Sequence, residues 1–126
     1  MIKERRKYKR SKKQLPLKIA DKTFDIITET ADISSSGIYC RVTRFLSVMS
    51  KIEVVILVPT KPHGKQTKKI RCRGIVVRSE PIILKDTEKA HYNVAIFFSD
   101  MSDKDKEAVV AYVNSGNKEA EIEIKN

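Results

Sequence analysis

The chain has 126 residues, with 26 Lys+Arg against 16 Asp+Glu and a formal net charge of +10. That length suits one domain able to bury a core of its own, and a hydrophobic content of 40% excludes a wholly disordered chain. Apolar stretches such as Val54–Pro59 fall far short of the ~20 residues of a membrane helix, no apolar run follows the basic N-terminus as in a secretory signal, and Cys40 and Cys72 make no disulfide framework; a soluble, cytoplasmic protein is expected.

The charge is concentrated at one end. Residues 1–13 hold eight Lys/Arg and a single acid, Glu4, for a net of +7, while the remaining 113 residues carry only +3. A cationic arm on a nearly neutral body stays solvated by self-repulsion until it meets an anion, so it points to a phosphate-rich partner: a nucleotide, a nucleic acid or a membrane surface. The same composition also fits a solubilising tail.

Beyond the arm, Leu15, Leu17 and Ile19 alternate with polar residues, the period of a half-buried strand. Asp21-Lys22 reads as a turn, and Thr23–Ile33 as a second strand with Phe24, Ile26 and Thr28 on one side. Turn formers over Asp32–Gly37 break the pattern, which resumes over Gly37–Val42. Lys51–Val58 is a nearly continuous β-branched run, expected of a strand buried on both faces. Pro59–Lys65 reads as a loop, Ile70–Arg78 alternates again, and His91–Phe98 is the last strand.

One helix follows, with Ser102 as N-cap, Asp105 three residues on, and a stripe of Ala108, Val109, Tyr112 and Val113. Gly116 stands where a C-terminal stop belongs, and the tail beyond it reads as a short strand or a frayed end. The fold expected is mainly β: a small six-stranded antiparallel Greek-key barrel with a C-terminal α-helix and a flexible basic N-terminal arm. The division is an arm over 1–13, the barrel and helix over 14–116, and a tail over 117–126. No linker marks a second domain.

Catalytic chemistry is poorly provided for. His63 lies in a Pro/Gly loop and His91 at a strand start, with no Ser/His/Asp or Cys/His pattern around them. Cys40, His63, Cys72 and His91 lack the short paired spacings of a zinc site, and there is no phosphate-binding GxxxxGK[ST] or GxGxxG. Asp100, Asp103 and Asp105 belong to a helix start, where acids complement the dipole. No enzyme, no metal and no cofactor are expected.

Two short motifs remain. Arg6-Lys7-Tyr8-Lys9-Arg10 is RxxxR, preceded by Arg5, and Asp32-x-Ser34-x-x-Gly37 is DxSxxG. Alone, the first is a spacing that any arm so rich in cations shows, and the second is an ordinary Asx- or Ser-type turn. Their order, with a strand between them, is much harder to obtain by chance. RxxxR, then DxSxxG, then a barrel and a C-terminal helix resembles the PilZ domain, the bacterial receptor module for cyclic di-GMP. Gly37-Ile38-Tyr39-Cys40, Arg73–Arg78 and Val94–Phe98 agree with it, and the resemblance runs from Arg5 to about Val113.

It implies a nucleotide site of Arg5, Arg6, Arg10, Asp32, Ser34 and Gly37, with cyclic di-GMP as ligand and a downstream protein as partner, in a monomer or homodimer. Arg6 and Arg10 would contact phosphate and guanine, Asp32, Ser34 and Gly37 would form the opposing wall, and a basic residue at Arg5 would favour an intercalated ligand dimer. The chemistry is consistent: an arginine fork matches the N7 and O6 acceptors of guanine, and a carboxylate matches its N1–H and N2–H₂ donors. Ser34 offers a hydroxyl, and Gly37 allows close backbone approach and positive φ. Two alternatives stand beside this: a nucleic-acid-binding barrel using the arm with Arg71, Arg73 and Arg78, or a PilZ-like interaction domain that binds no ligand. Scattered tyrosines and the absence of Trp argue against nucleic acid.

Overall fold

Among the described residues the alternating segments fold into seven strands and one helix: β1 Arg10–Ser11, β2 Pro16–Ala20, β3 Asp25–Ser34, β4 Gly37–Val42, β5 Lys51–Pro59, β6 Thr67–Ile82, β7 His91–Asp100 and α1 Asp103–Lys125. This is a computed structural model, which describes residues 10–11, 14–60, 66–83 and 89–125, with side chains over 14–60, 66–83 and 89–115. β2 pairs with β3 and β5, β5 with β6, β6 with β7, β7 with β4, and β4 returns to β3, every pair antiparallel. The expected six-stranded barrel with a C-terminal helix therefore forms, and β1 adds to the end of β3.

Period-2 alternation fills the interior. Ile19, Ile33, Val54, Ile56, Ile70, Val76 and Val94 are each fully buried, one or two from each of five strands, and Val109 and Val113 of α1 join the same core. Burying one such side chain stabilises the fold by roughly 1.5–3 kcal/mol. The turn at Asp21 is an Asx turn, its Oδ1 accepting the Thr23 N–H at 2.6 Å and the Phe24 N–H at 3.1 Å. These bonds, the Thr23 backbone first, hold the Asp21 carboxyl below its ordinary pKa.

Four local expectations are corrected. β5 is not buried on both faces: Ile52, Val54, Ile56 and Val58 point inward, Lys51 and Glu53 are exposed, and Val55 and Leu57 are half-buried. The outer apolar pair is explained by register, because Val55 lies between Lys18 and Arg71 and Leu57 opposite Lys69, whose aliphatic stems shelter apolar surface. β3 does not break at Asp32 but continues to Ser34, held by β4 on one side and β1 on the other. β6 is longer than Ile70–Arg78, extended at both ends by pairing with β5 and β7.

The helix is the fourth. Ser102 caps it as expected, its Oγ accepting the Asp105 N–H at 3.2 Å, and the Asp105 carboxylate meets Lys68 Nζ at 3.3 Å. Gly116, however, does not stop it, and α1 runs on to Lys125. An interior glycine costs a helix only about 1 kcal/mol, and the Lys, Glu and Ala residues that follow are good helix formers. Among the described residues no helix is long and apolar enough to cross a membrane.

Candidate nucleotide site

The two motifs meet at the β1–β3 ladder. Arg10, the last residue of RxxxR, pairs with Ser34, the central residue of DxSxxG, and Ser11 pairs with Ile33. The backbone of the arm is thus fixed against the second motif at Arg10. Arg5 and Arg6 lie outside the described residues, as does His63.

Asp32 is set by a bulge. Thr30 pairs with Cys40 and Asp32 with Tyr39, so Ala31 is the extra residue on β3. A bulge re-aims the side chains that follow it, and here those are Asp32, half-buried, and Ser34, fully buried. The Ser34 hydroxyl accepts the Ser36 N–H at 3.2 Å, lies 3.1 Å from the Ser36 hydroxyl and donates to the Gly37 carbonyl at 3.4 Å. It is spent on shaping the Ser35-Ser36 turn.

Gly37 is required for a reason other than the one its place in a turn suggests. Its φ lies outside the left-handed region; instead, a Cβ there would run into the backbone carbonyl of Ile96. Gly37 pairs with Phe97, and Phe98 N–H donates to the Ser36 carbonyl at 2.9 Å, so the glycine lets the turn press directly on β7.

Two further residues complete the surface. Asp32 lies opposite Tyr39, Tyr39 opposite Ala95, and Ala95 opposite Arg78, one row across four strands. A second bulge, at Val77, sets Arg78 in this row. Over the small Ala95, Arg78 Nη1 donates to the Tyr39 hydroxyl at 2.6 Å, while its Nε lies 3.6 Å from Glu80. The row therefore offers a carboxylate at one end and a guanidinium at the other, with the arm's anchor two residues along β3. Donor edges of a planar base suit the carboxylate, and acceptors or phosphate oxygens suit the guanidinium. Sequence reasoning missed Tyr39 as a site residue and took Arg78 only as bulk charge. Alternation from Gly37 would have put Tyr39 on the outer face, but nothing in the sequence signals the bulge that turns Arg78 toward it.

The other arginines of β6 sit differently. Arg73 lies opposite Glu53 on one side and Asp100 on the other, in a shallow groove of about 330 Å³. Acids so placed break up a phosphate track, which weighs against the nucleic-acid alternative. A second cleft, about 520 Å³, opens where β3 and β4 part beyond the Ala31 bulge; Thr28 and Arg41 span it through a hydroxyl-to-carbonyl bond of 2.9 Å. Among the described residues no three His, Cys, Asp or Glu gather as metal ligands. Burial pushes both thiols, Cys40 and Cys72, up to about 12.

The family model of the PilZ domain matches residues 4–115. The chain belongs to the PilZ family. Domains of this family are typically non-enzymatic receptors, and solved PilZ structures share the fold. "Inhibitor of motility" (MotI/DgrA) of Bacillus subtilis is 22% identical, with a TM-score of 0.74 over 92% of this chain and 53% of its own. MrkH of K. pneumonia, in its c-di-GMP complex, is 16% identical, with a TM-score of 0.67 over 97% and 57%. The PilZ domain of YcgR from Escherichia coli, solved with c-di-GMP, is 13% identical, with a TM-score of 0.65 over 98% and 99%. The chain thus spans about half the length of MotI/DgrA and MrkH. No curated protein matches it in sequence.

Proposed function

We propose that this protein is a cytoplasmic, non-enzymatic receptor for cyclic di-GMP that relays ligand binding to a protein partner. The observation that carries the reading is the pairing of Arg10 with Ser34, which joins RxxxR to DxSxxG in one ladder. The row from Asp32 to Arg78 gives the matching chemistry. In this reading Arg6 and Arg10 bind phosphate and a guanine edge from above, and Arg5 favours a second, intercalated ligand molecule. Asp32 takes the N1–H and N2–H₂ donors, and Arg78, steadied by Tyr39, takes phosphate or the N7/O6 edge. Ser34, through its hydroxyl, and Gly37, through its lack of a side chain, hold the turn that presents these groups. The solved complexes of the YcgR domain and MrkH with c-di-GMP support the choice of ligand.

Calorimetric titration of the full chain with cyclic di-GMP and cyclic di-AMP tests it. Binding of the first, with the second rejected and with moderate salt tolerated, is expected. Equal affinity for both, or steep loss with salt for any phosphate-rich ligand, overturns the reading in favour of a plain cationic surface.

A further inference from the structure

Beside the Asp32–Arg78 row, the barrel wall changes character. Phe97 of β7 is 48% exposed and Val77 of β6 is 50% exposed, and in the β4–β5 loop Val48 and Met49 are 51% and 70% exposed. Strand register brings Met49, Val77 and Phe97 to one surface, and Val48 precedes Met49 in the loop. Phe97 lies opposite Ile75, two residues before Val77 on β6. Met49 N–H donates to the Val76 carbonyl at 2.7 Å, and Val76 N–H donates to the Ser50 carbonyl at 3.0 Å, so the loop continues the β5–β6 ladder past Lys51 and brings Met49 alongside Val77. Phe97 has Gly37 across from it and Ala95 two residues before it, so on two sides of its ring no large side chain stands.

The loop is held in a costly shape. Met49 has φ of 74°, and among the described non-glycine residues it alone is in the left-handed region. It occupies the third position of a turn closed by a Ser50 N–H bond to the Ser47 carbonyl at 3.1 Å, where a positive φ normally calls for glycine. Backbone strain persists where the surrounding structure enforces it and tends to cluster at functional sites. Here it holds out an exposed, adaptable methionine, a residue much used on binding surfaces.

We propose that Val48, Met49, Val77 and Phe97 form a docking surface for a protein partner presenting an apolar side chain flanked by acidic residues. Charge selects that occupant. The cations flanking the patch in register are Lys51, opposite Ile75, and Arg78, next to Val77, both exposed; Glu80, 3.6 Å from the Arg78 Nε, offsets part of the second. The cationic arm of this chain is repelled by such a rim, and a second copy carrying +10 is disfavoured for the same reason. The chain's own acidic stretch, Glu119–Glu123, is taken up in α1. Contiguous exposed apolar surface rimmed by polar groups is the usual mark of a protein contact. The patch stands without any assumption about the nucleotide.

Random peptides displayed on phage and selected against the full chain, without nucleotide, test this directly. Peptides with an aromatic or aliphatic anchor between Asp or Glu residues are expected to be enriched. Measured by fluorescence polarisation, their affinity should fall about tenfold or more in Phe97→Asp and in Met49→Asp. It should hold in Ile27→Asp, which alters an exposed apolar residue on another wall. Melting curves establish that each variant is folded, and Met49→Asp decides the matter if Phe97→Asp is not. Enrichment without acidic bias, or peptides that bind the variants equally well, overturns the proposal. So does patch-dependent self-association in sedimentation, or patch-dependent binding of phosphatidylglycerol vesicles in place of peptides.

Discussion

Arg78 reaches across Ala95 to the Tyr39 hydroxyl, 2.6 Å away, and so binds the middle strand of the barrel to the strand that leaves the DxSxxG turn. The contact is on the solvent side, and its chief effect is to hold a long, flexible cation over one spot. Arg78→Ala should therefore leave the melting temperature nearly unchanged. Loss of a charge-assisted contact worth about 1.5–3 kcal/mol should weaken cyclic di-GMP about tenfold or more. Tyr39→Phe, which frees the arginine without removing it, should give a smaller loss. If calorimetry finds wild-type affinity in Arg78→Ala, the row is not the ligand surface.

Gly37 and Gly74 offer a comparison within one barrel. At Gly37 a new Cβ meets the Ile96 carbonyl, part of a paired backbone that has nowhere to go. At Gly74 the nearest atom is an Ile96 side-chain methyl, 2.6 Å from the new Cβ. Gly37→Ala should cost about 1–3 kcal/mol through displacement of β4 from β7, and Gly74→Ala less, since a side chain repacks more readily than a strand. Denaturant midpoints rank the two. The reverse order would show that turn geometry at Gly37 is more forgiving than its contact implies.

Much of the barrel was legible because its signal is local. Local pattern located Leu15–Ile19, Gly37–Val42 and His91–Phe98, and the side chains that alternate there are the ones that fill the core. Where reading failed, the deciding contact was distant in sequence. Val55 and Leu57 look like core residues until Lys18, Lys69 and Arg71 are seen alongside them. Asp32–Ser34 looks like the start of a turn until β1, some twenty residues earlier in the chain, is laid against it. Gly116 looks like a stop because propensity says so, yet it is weak evidence against nine helix-compatible residues beyond it. The motifs named Asp32 and Arg10, and alternation from Gly37 would have put Tyr39 on the outer face, but Arg78 enters only through the bulge at Val77, which carries no sequence signature here.

The two cysteines should be chemically silent. Cys40 is buried, and desolvation alone pushes its thiol to about 12; at Cys72 desolvation leads and the nearby Asp105 and Asp100 add to it. Only the thiolate reacts appreciably, so labelling by a thiol reagent at neutral pH should be negligible until the chain is unfolded, when both sites react. A pKa raised on folding means that the native state holds its protons more tightly. Stability from this source is complete below the unfolded thiol pKa near 9.0 and is lost as pH rises from there toward about 12. Urea midpoints from pH 8 upward should fall accordingly, and Cys40→Ala should blunt the decline. Rapid labelling of native protein at neutral pH would contradict the burial of both side chains.

Selectivity should rest on Asp32. Cations at Arg10 and Arg78 attract any phosphate-rich anion, cyclic di-AMP included, so charge alone cannot tell the two dinucleotides apart. A carboxylate repels phosphate, so its place at the end of this row is useful to a ligand if it holds an arginine in position or meets a donor edge. Guanine has one in N1–H and N2–H₂; adenine has an unprotonated N1 and no N2 amine. Asp32→Ala should cost about 1–3 kcal/mol in cyclic di-GMP binding and narrow its preference over cyclic di-AMP. Asp32→Asn retains an acceptor oxygen without the charge, and should recover part of that preference. The competing role is local, with Asp32 serving only the bulge and turn around it; its removal would then lower stability by about 1 kcal/mol and leave the affinity ratio alone. Melting temperature and the ratio of the two affinities, measured on the same variants, separate these roles, because each moves one quantity and spares the other.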